Sequence, residues 1–331
     1  MADGLVKADG LPDVADGATT GLPFSDLDGV HDIYRAWRRI ADSYPDKRIF
    51  VGEMWLPDPV RFAMYLRPDE LHSAFNFDFL SCPWDAARLR EVIDATLEAH
   101  APVDAPATWV LSNHDVTRHV TRYGRQDTSF SFADRQHQAP TDPVLGTRRA
   151  RAAALLTMAL PGGVYIYQGE ELGLSEVEDL PDDVRQDPVF ARTAGADIGR
   201  DGCRVPVPWS GDAPPYGFNT TGTAPWLPQP DDWATHTVAA QTDDPNSMLE
   251  LYRAALRLRR ESPALGDGPL HWLDGLPTGV LGFARDETFA CVVNLSAAPV
   301  DLPPHTEVLL TSGPVDGTTL PTDTAVWLRT N

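Results

Sequence analysis

RIFVGEMW, residues 48–55, joins a short apolar run to a carboxylate. Ile49, Phe50 and Val51 are the β-branched and aromatic residues that favour a buried strand. Gly52 breaks the run and leaves Glu53 at its carboxyl end, beside the large apolar side chains of Met54 and Trp55. In a β/α barrel the reactive groups stand at the carboxyl ends of strands. In these surroundings Glu53 is expected to be partly desolvated, which favours its neutral form and suits a general acid. Taken alone, the stretch reads first as a glutamate capping a strand beside a surface tryptophan.

A second stretch, WVLSNHDVTRHVTRYG at 109–124, repeats the pattern. An apolar run ends in Asn113, His114 and Asp115, with Arg118 one turn on. Two strand ends that each deliver a carboxylate fit glycoside cleavage, which uses paired carboxyl groups. GEMW followed later by NHDVTR resembles the α-amylase superfamily of glycoside hydrolases, and within it the α-glucosidase and oligo-1,6-glucosidase branch. YQGEELG (167–173) and RDGCRVPVPW (200–209) then follow in the order of that family.

The resemblance implies roles residue by residue. Glu53 matches the general acid/base, and Asp115 the third carboxylate, which stabilises an oxocarbenium-like transition state. His114 matches a histidine that contacts the same sugar. Arg118 matches an arginine near that subsite, with a salt bridge to Asp115 or a neighbour as the alternative. Glu170 and Glu171 are expected to be structural. Residues 1–22 resemble the segment that follows the nucleophile strand, so the nucleophile would lie just before Met1 and is not Asp3. Retaining hydrolysis needs two carboxyl groups about 5 Å apart. The chain therefore reads as an N-terminally truncated glucosidase of short α-glucans or disaccharides, weakly active or inactive alone. The alternatives are a trehalose synthase-like transglycosylase or isomerase, and a non-catalytic sugar- or partner-binding remnant. No cofactor or metal is expected: the calcium site some family members carry uses parts without a counterpart here.

Bulk properties narrow the class. Among 331 residues, 27 basic and 48 acidic side chains leave a formal charge of −21. An acidic surface disfavours nucleic acid and anionic membranes and suits a small neutral α-glucoside. Three widely spaced cysteines, Cys82, Cys203 and Cys291, argue against a disulfide framework or zinc site. With no long apolar run and no signal-like start, a cytoplasmic location is expected. His119, His137 and His236 lack metal-ligand spacing and read as surface residues.

Along the chain, helical periodicity covers 31–42, 59–66, 84–100, 146–160 and 247–261, and strand patterns cover 49–51, 74–79, 109–111 and 164–167. The alternation implies an α/β fold with parallel strands, four β/α units in all. The resemblance makes these the C-terminal four units of a (β/α)8 TIM barrel, spanning 1–262, with a long proline-rich insert at 169–246. In the family that insert covers the active-site mouth. There Trp209, Trp226 and Trp233 either stack on sugars or pin the loop. Residues 263–331 read as an antiparallel β-sandwich, with strands near 271–273, 279–283, 289–295, 307–310 and 325–328. Half a barrel leaves open strand edges, so self-association is expected.

Overall fold

The computed structural model describes residues 26–315 and 317–331. The segment 1–22, with its expected place after the nucleophile strand, lies outside the described residues.

The α/β part begins with helix α1 (Gly29–Asp42) and strand β1 (Val51–Gly52). Then come α2 (Pro59–Met64), β2 (Ser73–Ala74), α3 (Phe77–Ser81), α4 (Ala86–His100) and β3 (Thr108–Val110). After them follow α5 (His119–Tyr123), α6 (Pro143–Ala159) and β4 (Gly163–Tyr165). β1 pairs in parallel with β2, and β3 with β4. The Thr108 hydroxyl donates to the Ala74 carbonyl and links the two pairs. The parallel sense puts the segments after β1 and β2 at one end of their pair, and those after β3 and β4 at one end of theirs.

Several helix starts follow from an Asp-Pro dipeptide. Aspartate accepts from first-turn N–H groups, and proline fits there because its missing N–H has no helical partner to lose. Asp58 accepts from Val60 N at 2.9 Å, and Asp142 from Val144 N and Leu145 N at 3.0 Å. Asp187 caps α7 (Pro188–Arg192) in the same way.

The strand expected over 74–79 is corrected. Only Ser73–Ala74 is extended, and Phe77–Ser81 is helical. Asn76 caps that helix, accepting from Phe79 N at 3.0 Å while donating to Thr96 Oγ1 at 3.0 Å. The local capping bond overrides a period-two pattern. The buried strand expected at 49–51 is corrected too. Ile49 and Val51 are 64% and 43% exposed, because β1 has a partner on one side only among the described residues.

The insert is ordered around a core of its own, built from Leu172, Leu174, Val205, Tyr216 and Trp233. It holds α7 and α8 (Val238–Gln241) and leads into α9 (Met248–Glu261). Trp233 is buried and pins the loop, whereas Trp209 and Trp226 are exposed.

The C-terminal part is an antiparallel sheet of β5 (His271–Trp272), β6 (Val280–Ala284), β7 (Phe289–Asn294), β9 (Glu307–Thr311) and β11 (Thr324–Arg329) in the order β5-β6-β7-β11-β9. A ribbon of β8 (Val300–Asp301) and β10 (Thr319–Leu320), unforeseen in sequence, lies over it. Both faces of the sheet are covered, so β7 is buried at all six positions. Phe283, Cys291, Val293, Ala325 and Trp327 share one core with α6 residues such as Leu155 and Met158. Ala290, Val292, Val326 and Leu328 face the ribbon side with Leu320. Trp327 donates its indole N–H to the Leu155 carbonyl at 3.0 Å. The boundary expected at 262/263 falls at the C-cap of α9, but the two parts share this apolar core. The three cysteines are unpaired and buried. No helix among the described residues is long and apolar enough to cross a membrane.

Candidate active site

Glu53 follows β1 directly, and its side chain is exposed, so the partial desolvation expected from its neighbours is not found. Among the described residues no hydrogen bond or ion pair engages its carboxylate. Trp55, two residues on, stacks flat on Phe77 at 3.8 Å and meets Phe132 edge-on. Phe130 and Phe132 in turn lie under the Arg135 guanidinium, which donates to the Asp115 carbonyl at 3.0 Å. This aromatic floor connects the end of β1 to the loop after β3. A cleft of about 200 Å³ is lined in part by Met54, Trp55, Leu56, Phe62, Phe77 and His100, and Glu53 is not part of its lining.

The loop after β3 is shaped by its own side chains. Asn113 Oδ1 accepts from Asp115 N at 2.8 Å and turns the backbone. The carboxylate it presents is one-sided. Asp115 Oδ1 takes Arg200 at 2.8 Å and Arg204 at 3.0 Å. His114 Nε2 lies 3.6 Å from the same oxygen. No described group engages Oδ2. His114 itself is exposed, and its carbonyl is held by Arg204 Nε at 2.8 Å.

Arg200 is shared with a second carboxylate. Its Nε and backbone N–H both donate to Asp187 Oδ2, the latter at 2.9 Å, and its NH2 to Oδ1 at 3.2 Å. Burial alone would raise the Asp187 pKa, but the Arg200 and backbone N–H bonds outweigh it and bring it down to about 2. Asp115, Asp187, Arg200 and Arg204 thus form a cluster of two negative and two positive groups. Sequence reasoning missed Asp187, Arg200 and Arg204. Their signal was the pair of arginines four apart in RDGCR, inside a motif read for its family likeness and its place in the cover, not for its charges.

Arg118 does not join this cluster. Its side chain is buried and donates to the carbonyls of Gln168 and Cys203, both at 2.8 Å, with Tyr167 beneath it. One turn on, Arg122 clamps the carbonyls of Leu111, Thr117 and Thr128. Together they tie the β3 loop to the insert and to α5. His119, expected on the surface, is 1% exposed and bonded to Ser112 Oγ at 2.8 Å. His137 and His236 are partly buried rather than exposed, and His137 bonds Asp197 at 3.1 Å.

Glu170 is buried against Tyr252, whose hydroxyl donates to it at 2.8 Å. Burial raises its pKa to about 8. Glu176, which accepts from the Arg118 N–H at 2.9 Å, is raised to about 7, again by burial. Both are internal struts, not groups of the exposed site. Among the described residues no cluster of three or more His, Cys, Asp or Glu could hold a metal ion.

A family model for the alpha amylase catalytic domain matches residues 2–268. The chain belongs to the alpha-amylase family. A model for a domain of unknown function (DUF3459) matches residues 281–327, within the C-terminal sheet region. A probable alpha-glucosidase of Rhizobium meliloti is 36% identical over 241 residues, 71% of this chain and 40% of the relative. Maltase A1 of Drosophila melanogaster is 28% identical over 82% of this chain and 45% of its own length. An alpha-glucosyl transfer enzyme, XgtA, superposes with a TM-score of 0.74 at 31% identity, over 92% of this chain and 55% of that one. The chain thus spans about half the length of the curated family relatives it matches.

Proposed function

We propose that this chain carries part of the active site of an α-glucosidase-type retaining hydrolase, acting on small α-glucosides. Glu53 is the general acid/base: it protonates the glycosidic oxygen, then takes a proton from the attacking water. Asp115 is the transition-state stabiliser, and His114 contacts the same sugar. The observation that carries the reading is the one-sided grip on Asp115, whose Oδ1 is held by Arg200 and Arg204 while no described group engages Oδ2. A carboxylate fixed in this way is prepared for developing positive charge without rearrangement. Arg118, bonded to backbone carbonyls, serves the site as a support for the loop after β3.

A retaining mechanism also needs a nucleophilic carboxylate about 5 Å from the acid. No carboxylate among the described residues is assigned that role, and the four β/α units amount to half of an eight-unit barrel. Little turnover is therefore expected from the 331 residues alone. The reading includes a cytoplasmic location; it also includes no nucleic-acid or membrane partner, which the −21 charge favours.

The test is hydrolysis of 4-nitrophenyl α-glucoside by the purified chain and by its Glu53→Gln variant. The expected result is a trace rate or none in both. Robust turnover lost in Glu53→Gln supports Glu53 but overturns the missing-nucleophile argument; robust turnover kept in the variant sinks Glu53. Glucosyl transfer is the second reading, favoured by the likeness to an alpha-glucosyl transfer enzyme. Product analysis of any turnover separates them: free glucose alone supports hydrolysis, and a new glucoside supports transfer.

A further inference from the structure

We propose that Asp187 is a positioning residue for the glucosyl site, fixing Arg200 against Asp115 and keeping the charge around Asp115 balanced. The proposal rests on the reading of Asp115 as the stabiliser.

Asp187 cannot act by touching substrate, because its side chain is 1% exposed. It acts through Arg200. Both its oxygens receive that side chain, and Oδ2 also takes the Arg200 backbone N–H. With Nε and NH2 engaged, NH1 is left pointing to Asp115 Oδ1 at 2.8 Å. A planar guanidinium gripped along one edge has little freedom to rotate away, so the grip sets where Asp115 can lie. The loop is shaped for this approach. Gly199 has φ +76°, and a Cβ there would stand 2.7 Å from the Asp187 Cβ. The Asp187 N–H is held in turn by Asp201 Oδ2 at 2.9 Å, and Asp201 is itself buried.

Charge gives the arrangement its consequence. Asp115 alone between Arg200 and Arg204 would sit in a cluster with one excess positive charge. That excess would oppose an oxocarbenium-like centre forming nearby. Asp187 cancels it from behind, out of reach of the sugar. A neutral sugar should barely sense the cancellation, whereas a cationic mimic of the transition state should sense it strongly.

The experiment compares two probes, glucose and the cationic iminosugar 1-deoxynojirimycin. Their affinities for the wild-type chain, Asp187→Asn and Asp187→Glu are measured by calorimetry at pH 6. Asp187→Asn keeps the acceptor that caps α7, so the chain should fold. Its preference for the iminosugar over glucose should fall on the order of tenfold, glucose affinity should change little, and Asp187→Glu should restore much of the preference. Parallel loss of both affinities would mean a merely structural role and overturn the proposal, as would no change in either. A second readout needs no ligand: the wild-type Arg200 Nε–H NMR signal, assigned by its selective loss in Arg200→Lys. It should exchange slowly from pH 8 down to pH 3; fast exchange over that range overturns the grip. Failure of the wild type to bind either probe overturns the glucosyl site and the positioning role with it. A protected Nε–H in that case would show that the site reading failed, not the contact.

Discussion

At the scale of single residues, the buried carboxyls and the exposed ones divide the work. Glu53 and Asp115 meet solvent at strand ends, while Glu170 is 3% exposed and bonded to Tyr252. Because burial lifts the folded-state pKa of Glu170 to about 8, the folded chain holds a proton there that the unfolded chain has already released. Its contribution to stability is complete below the ordinary glutamate pKa and is lost as pH rises through about 8. Glu170→Gln keeps an acceptor for Tyr252 and removes the titration. Wild type and variant should melt alike near pH 4, and the variant should gain on wild type by up to a few kcal/mol at pH 9. Thermal melts of both proteins across that range measure it, and a gap independent of pH would show that the carboxyl reaches water. Glu176, with its pKa raised to about 7, should add a smaller effect of the same sign.

At the scale of elements, α6 is the axis of the molecule, and its fit depends on one glycine. A Cβ on Gly146 would stand 2.1 Å from the Val120 carbonyl oxygen and 3.1 Å from Gly124 N, both backbone atoms of the neighbouring α5 region. Gly146→Ala would improve helix propensity by about 1 kcal/mol. The steric cost of parting two backbones, about 1–3 kcal/mol or more, should outweigh that gain. A lower urea midpoint with an unchanged slope is the expected outcome, and a stabilised variant would mean that α5 yields freely. The helices were legible in sequence through apolar periodicity, but α6 was read from 146 and its Asp142-Pro143 start was missed. The strand ends bearing Glu53 and Asp115 were legible because short apolar runs stop at polar groups. The turn at Asn76 was hidden, since Phe75, Phe77 and Phe79 alternate as a strand would while the decisive bond runs from Asn76 to a backbone N–H. The insert hid more. Asp187, Arg200 and Arg204 lie in loop sequence without periodicity, and only the fold brings the arginines onto Asp115 and Asp187 onto Arg200.

At the scale of the whole molecule, the C-terminal sheet is tied to the α/β part, while at the opposite side β1 has no second strand partner among the described residues. Trp327, Arg149 and Arg151 bind across the first boundary, to Leu155 O, Asp323 and Ser312 O respectively. At the other side, Ile49 and Val51 of the β1 edge are exposed together with Trp37, Ile40 and Tyr44 of the α1 segment. The ring contacts run on from one to the next, with Trp37 6.2 Å from Phe50 and Arg48 stacked over Tyr44. An edge strand with free N–H and C=O groups beside large apolar side chains is prone to pair with another chain. The charge at its rim is mixed: Arg35 pairs with Asp32, Asp69 and Glu70, and Arg38 with Asp42, while Arg39, Lys47 and Arg48 lie in the same stretch as Asp46. The purified chain should therefore self-associate in a concentration-dependent way, read as a rising mass in light scattering coupled to size exclusion. Lysines at Ile49 and Val51, positions already exposed, should leave the fold intact and shift the population toward monomer. A wild type that stays monomeric at every concentration would mean that the edge is blocked. Association undiminished in the double variant would place the contact on another face.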